Sequence, residues 1–397
     1  MMSVWSSLVG QEAAVAKLSE AAASARAIVA SRGGAHDSDD ARSMSHAWLI
    51  TGPPGSGRSV AARAFAAALQ CTGETVGCGH CAGCRTTMGR TNADVVFAAT
   101  ETSIINVETA RSLVLQAQSS PSQGLWRVIV VEDADRLGES GANALLKAIE
   151  EPPEHTVWLL CAPSPEDMIA TIRSRCRHLG LRIPTAAAVA DLLVREGVAT
   201  PEVALEAARA AQSHIGLARA LARDPQMRER RRAIITAPAS VRSVGEAVMA
   251  ADRLLETAKA QADAQVSERN AREKAELMRQ LGMDEGESAT KASRTMIRQL
   301  EEDQKRRSKR ALTDAIDRAL IDLLAIYRDV LMVQVGGDGE LINTDLADLV
   351  GQIARDSTPR QTLARVDHIE TARKRLVSNG NPLLVLEDMA ISLRPQA

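Results

Sequence analysis

Two groups of residues in this 397-residue chain have the types and spacing to do chemistry. The first is Gly52-Pro53-Pro54-Gly55-Ser56-Gly57-Arg58-Ser59, which follows the phosphate-binding pattern GxxxxGK(S/T) everywhere except at Arg58, where Lys is usual. Gly52, Gly55 and Gly57 free backbone N–H groups to curl round phosphate oxygens, and Ser59 completes the cradle. A helix starting there aims its positive end at the same anion. The second group is Cys71, Cys78, Cys81 and Cys84, the last three in tight CxxC-type steps. Four thiolates close a tetrahedral Zn2+ shell and leave no open position, so the metal would be structural. His80 lies among them but is surplus to a closed shell.

These residues need elements to hold them. Ala47 to Ile50 reads as a strand and Val60 to Leu69 as a helix, which gives the loop the strand–turn–helix setting it requires. Further strands are predicted at 94–97, 127–131, 156–161 and 179–183. Helices are predicted over 107–117, 142–151 and 168–175, the middle one stopped by Pro152-Pro153. Arg127 to Val131 is β-branched, uninterrupted and followed by the acids Glu132 and Asp133. Alternating strands and helices predict a parallel sheet between helices. After Pro184 the strand signal ends. Three short helices (187–196, 201–211, 215–223) are followed by a link and a helical remainder, whose stretch of about 260–310 is charged and sparse in apolar residues. That stretch reads as a solvated hairpin or an insertion, and its run Lys305 to Arg310 as a self-paired face. Residues 31–44 read as an exposed loop.

Composition narrows the classes. Net charge is −2 and aromatics are 2%, so the chain as a whole is neither a basic nucleic-acid sleeve nor a base-stacking platform. No basic leader precedes an apolar core and no apolar run approaches ~18 residues, so the expectation is a cytoplasmic chain without membrane contact.

Leu8-Val9-Gly10-Gln11, the phosphate loop, the cysteine cluster, Asn143-Ala144-Leu145-Leu146-Lys147-Ala148-Ile149-Glu150-Glu151-Pro152-Pro153 and Ser174-Arg175-Cys176 occur in this order. Together they resemble the AAA+ subunits of the bacterial sliding-clamp loader in the DNA polymerase III holoenzyme. The resemblance implies an AAA+ P-loop domain over 1–183 with its zinc module at 71–84, a helical lid over 184–223, and an all-α collar over 224–397 that joins a ring. It implies nucleotide contacts at Val9, Gly52, Gly55, Gly57, Arg58, Ser59, Glu132, Asp133 and, from the lid, Arg219. Its partners would be tau/gamma and delta subunits and, through the complex, the sliding clamp and primed DNA.

Within that family, three departures point away from the ATP-hydrolysing motor. Arg58 puts a broad planar fork where a compact ammonium fits between phosphates. Glu132-Asp133 reverses the motor's Asp-Glu, and Ala162-Pro163 offers no polar sensor side chain. Arg175 is intact, and resembles the finger that such a subunit inserts, in trans, into its neighbour's ATP site. The expectation is the delta-prime kind of subunit, with ATP or ADP held weakly or not hydrolysed. A tau/gamma-type ATPase and a stand-alone zinc DNA-binding module are the rivals.

Overall fold

The computed structural model describes residues 3–31, 43–98, 105–281 and 291–394. The chain divides into two compact units, Met1–Ala222 and Arg223–Ala397. Most of the predicted loop at 31–44, and Gly282 and Gly286 of the charged stretch, lie outside the described residues.

In the first unit a short 3-10 turn (Val4–Ser7) leads into α1 (Glu12–Ala30). Then come β1 (Ala47–Thr51), α2 (Arg58–Leu69), α3 (Ala82–Met88), β2 (Val95–Ala98), α4 (Val107–Ala117), β3 (Arg127–Val131) and α5 (Glu139–Glu150). The unit ends with β4 (Thr156–Ala162), α6 (Ala170–Arg173), β5 (Arg177–Gly180) and the helices α7 (Ala186–Arg195), α8 (Pro201–Ala210) and α9 (Ile215–Arg223). The strands form one sheet in the order β2-β3-β4-β1-β5, and every pairing is parallel.

Alternation along each strand splits the core into two faces. Trp48, Ile50, Val128, Val130, Val157, Leu159 and Cys161 face α1, α2 and the cysteine segment. Leu49, Ile129, Val131, Trp158, Leu160 and Ala162 face α4, α5 and α6. Burial on both faces is why these strands read as continuous apolar runs rather than as alternating ones. Because all strands run the same way, the loops after β1, β3 and β4 emerge at one end of the sheet, where open α/β sheets bind ligands.

Several boundaries differ from expectation. β5 lies at Arg177–Gly180 rather than 179–183, because an edge strand tolerates exposed Arg177 and His178, which hid its start. The predicted helix over 168–175 shrinks to α6 behind a 3-10 turn at Pro165–Asp167. β2 starts one residue late, since Asp94 turns inward to accept backbone N–H bonds from Ser122, Gln123 and Gly124. α5 starts at Glu139, three residues before the apolar signal.

Among its described residues the second unit is built of helices without a strand: α10 (Pro225–Ser240), α11 (Val244–Gln280), α12 (Lys291–Gln334), α13 (Ala347–Arg355), α14 (Pro359–Val377) and α15 (Pro382–Ser392). α10 stands where a link was expected. Asp224 caps it and Pro225 opens it, a start signal that outweighed the Asp-Pro turn reading. The core gathers Ile235, Leu255, Ile316, Leu320, Leu323, Val330, Ile369, Leu386 and Met389. α11 and α12 form the hairpin. Its seam is built from Ala258, Ala262 and Val266 against Ala311, and then turns polar, with Arg307 Nη1 donating to Asn270 (2.7 Å) and Glu273 (2.8 Å).

Candidate functional site

The glycine-rich turn closes on itself. Gly55 and Gly57 each sit at φ +90°, a left-handed conformation that side chains avoid. A Cβ at Gly55 would also come within 3.0 Å of the His214 Cα, so the turn before α9 packs directly on the loop. Gln11 fastens the loop from the other side. Its Nε2 donates to the carbonyls of Ser56 (3.4 Å) and Arg182 (2.5 Å), and its Oε1 accepts from the Arg182 N–H (3.2 Å). Val9, half-buried, lies two residues before it.

Arg58 and Ser59 are the first residues of α2, with Gly57 as N-cap. The Arg58 guanidinium does not reach outward; its Nη1 donates to the carbonyl of Gly52 in its own loop. Ser56 Oγ is buried with no hydrogen-bond partner, which leaves an unused donor inside the cradle. The loop therefore suits an anion, while its cation is spent on the backbone.

The two acids after β3 diverge. Glu132 pairs with Arg90, whose Nη2 lies 2.5 Å from Oε1 and whose guanidinium stacks 5.0 Å from the Phe97 centroid. Burial pushes the Glu132 carboxyl above its ordinary range, although Arg90 and Arg63 both oppose this. A carboxylate held by arginine is a poor Mg2+ ligand. Burial likewise raises the Asp135 carboxyl, with Asp133 adding to the rise and Arg136 and Arg58 opposing it. Asp133, Asp135 and Arg58 thus lie within electrostatic reach of one another, and Asp135 was missed in the sequence because it follows the expected pair. At the end of β4, the Pro163 carbonyl accepts the Gly52 N–H at 3.1 Å, and no polar side chain stands at Ala162 or Pro163.

Arg219 is paired with an acid on a neighbouring helix. Its Nε and Nη2 make a two-pronged pair with Glu196, at 2.9 and 2.8 Å, which joins α9 to the end of α7. Arg175 stands just past α6, 39% exposed, with its Nε on Glu150 and its Nη1 on the Thr171 carbonyl (2.8 Å).

The cysteines converge. The Sγ atoms of Cys71, Cys78, Cys81 and Cys84 all lie within 4.8 Å of one another, and Cys81 and Cys71 are 3.9 Å apart. Thiolates about 2.3 Å from a tetrahedral zinc stand roughly 3.8 Å from each other, so the set fits the ion. The Cys81 N–H points at Cys78 Sγ and the Cys84 N–H at Cys81 Sγ, each at 3.4 Å. Burial works against the Cys81 thiolate, but the Cys84 and Thr72 amides outweigh it and bring the thiol down to about 6. Gly73 leaves room for this folding, since a Cβ there would lie 2.8 Å from Cys78 Sγ. Cys161 and Cys176 lie outside the cluster, and burial raises both thiols to about 12.

Residues 36–185, which hold the loop, the cysteines and Arg175, match the family described as DNA polymerase III, delta subunit. A DNA polymerase III subunit delta' from Escherichia coli is 34% identical over 180 residues, 44% of this chain and 54% of that protein. This segment is thus similar in sequence to bacterial DNA polymerase III subunits. A DNA polymerase III subunit gamma/tau from Mycobacterium tuberculosis is 35% identical over 159 residues, 39% of this chain and 28% of that one. The matched segment therefore spans about half, or less, of the length of these curated relatives. A solved gamma subunit-related protein from Thermotoga maritima aligns over 87% of this chain and 93% of its own, with 16% identity and a TM-score of 0.38. No helix among the described residues is long and apolar enough to cross a membrane.

Proposed function

We propose that the chain is a delta-prime-type subunit of the cytoplasmic DNA polymerase III clamp loader. In this reading it hydrolyses no ATP of its own. It supplies Arg175 to ATP held by an adjoining tau/gamma-type subunit and, with a delta-type subunit, helps the complex place a sliding clamp on primed DNA. A structural zinc held by Cys71, Cys78, Cys81 and Cys84 would brace the segment after α2.

One observation carries the reading. The groups that would run hydrolysis are each committed inside the chain: Arg58 to the Gly52 carbonyl, Glu132 to Arg90, and Arg219 to Glu196. A motor needs a free cation on the β- and γ-phosphates and a free carboxylate on Mg2+. Arg175 is held only by an exposed pair with Glu150 and by its own turn, and it stands at the surface, where a group working on a second protein must stand. A finger of this kind is worth about 10³–10⁵ in rate.

A tau/gamma-type motor is the second reading, because the gamma/tau relative is as similar over this segment as the delta' relative. Mg2+ and ATP added to the isolated chain separate the two. The delta-prime reading expects no turnover above background; turnover that disappears in Arg58→Ala would establish the motor. In the reconstituted loader, Arg175→Ala is expected to leave assembly intact and to cut clamp-dependent ATPase by at least about 10³-fold.

A further inference from the structure

Arg175 is exposed but it is not idle, and what holds it follows from the sequence around Pro152. The Pro152-Pro153 pair ends α5 and fixes Glu150 as its last residue. A carboxylate there faces the negative end of the helix, where anions are disfavoured and a cation is welcome. The cation that arrives is Arg175, twenty-five residues on, whose Nε donates to Glu150 Oε1. Its Nη1 is held by the Thr171 carbonyl at 2.8 Å and by Ser174 Oγ at 3.3 Å. The side chains of the pair are 39% and 40% exposed, so water and salt reach both.

We propose that Glu150 is a latch for Arg175, holding the guanidinium in a docked position in the free subunit and yielding it when a polyphosphate on the adjoining subunit competes for it. The inference rests on the finger reading above and adds the residue that regulates it. An exposed carboxylate pair is weak and screened by salt. Phosphate oxygens engage the guanidinium fork in stronger, charge-assisted bonds. The latch thus slows the release of the finger by a small factor without preventing it.

Two measurements test it. In the isolated chain, the Arg175 Nε–H is expected to exchange with solvent several-fold faster in Glu150→Gln than in the wild type. An unchanged rate would mean that Glu150 does not hold it. In the reconstituted loader at saturating ATP, Glu150→Gln is expected to raise kcat by about two- to fivefold, the range an exposed pair supports, with little change in KM. Glu150→Asp should restore the wild-type rate, and the gain should vanish in an Arg175→Ala background. A kcat that stays level or falls in Glu150→Gln, while Arg175→Ala still abolishes stimulation, would overturn the latch and leave the finger standing. Full stimulation in Arg175→Ala would overturn the finger itself.

Discussion

Asp94 is fully buried and accepts four hydrogen bonds: from the Ser122 amide and hydroxyl at 2.6 and 2.9 Å, and from the amides of Gln123 (2.8 Å) and Gly124 (2.6 Å). Burial by itself would raise this carboxyl, but the three amides outweigh it and hold it below its ordinary range. The stability it contributes is therefore complete above the unfolded carboxyl value of about 4, and is lost as pH falls through the lower folded value. Asp94→Ala would take the acceptor away from all four of these bonds, which end on a charged group and are stronger for it. The expected loss is about 2–4 kcal/mol, read as a lowered denaturation midpoint at pH 7, with the gap to the wild type shrinking in acid. The same scale shows why only part of the candidate site was legible in the sequence. The Arg58 substitution, the reversed acids and the four cysteines are facts of spacing. That Arg58 bends back to Gly52, that Glu132 meets Arg90 from 42 residues away, and that Arg219 meets Glu196 from 23 residues away depend on tertiary placement, which no local pattern encodes.

Elements were legible where burial left an unbroken apolar run and obscure where charged residues interrupted it. The central strands are buried on both faces and announce themselves; the edge strand β5, with two exposed side chains, does not. The cysteine segment and the end of α2 beside it are joined to their surroundings by contacts outside the sulfur cluster. Cys84 Sγ meets the Ala67 carbonyl at 3.5 Å, and Gln70 bridges the end of α2 to the Trp126 carbonyl and the Leu125 amide. Cys81→Ser is therefore expected to release the metal without unfolding the sheet. Bound zinc, assayed with a metallochromic dye, should fall to background. Tm should fall by roughly 6–12 °C, as about 3 kcal/mol would give in a domain of this size. Retained zinc would assign it to other ligands. The hairpin offers a second case. Beyond Val266, Arg307 ties α12 to Asn270 and Glu273 of α11, and Gln304 Nε2 donates to the Asn270 carbonyl at 2.9 Å. Few apolar contacts support this end, so Arg307→Ala should speed amide exchange across 267–281 and 291–304 by at least tenfold, while 311–330 stays protected.

At the scale of the whole chain, two separate cores predict two unfolding events. The first unit buries both faces of its sheet, and the second buries a helical core that also encloses charge. In that second unit, Arg231 Nε lies 3.0 Å from Asp322 and its Nη2 lies 2.7 Å from Asn343 Oδ1, with both side chains of the ion pair at 10% exposure or less. Removing one partner of a buried pair strands the other's charge, at a cost of about 3–5 kcal/mol. Calorimetry should thus resolve two transitions that answer to different perturbations. Chelation of zinc or Cys81→Ser should lower the transition of the sheet unit alone. Arg231→Ala should lower that of the helical unit alone, by roughly 6–20 °C. Should either change move both transitions together, the two cores would unfold as one cooperative body, and the division at Ala222 would mark a change of architecture rather than of stability.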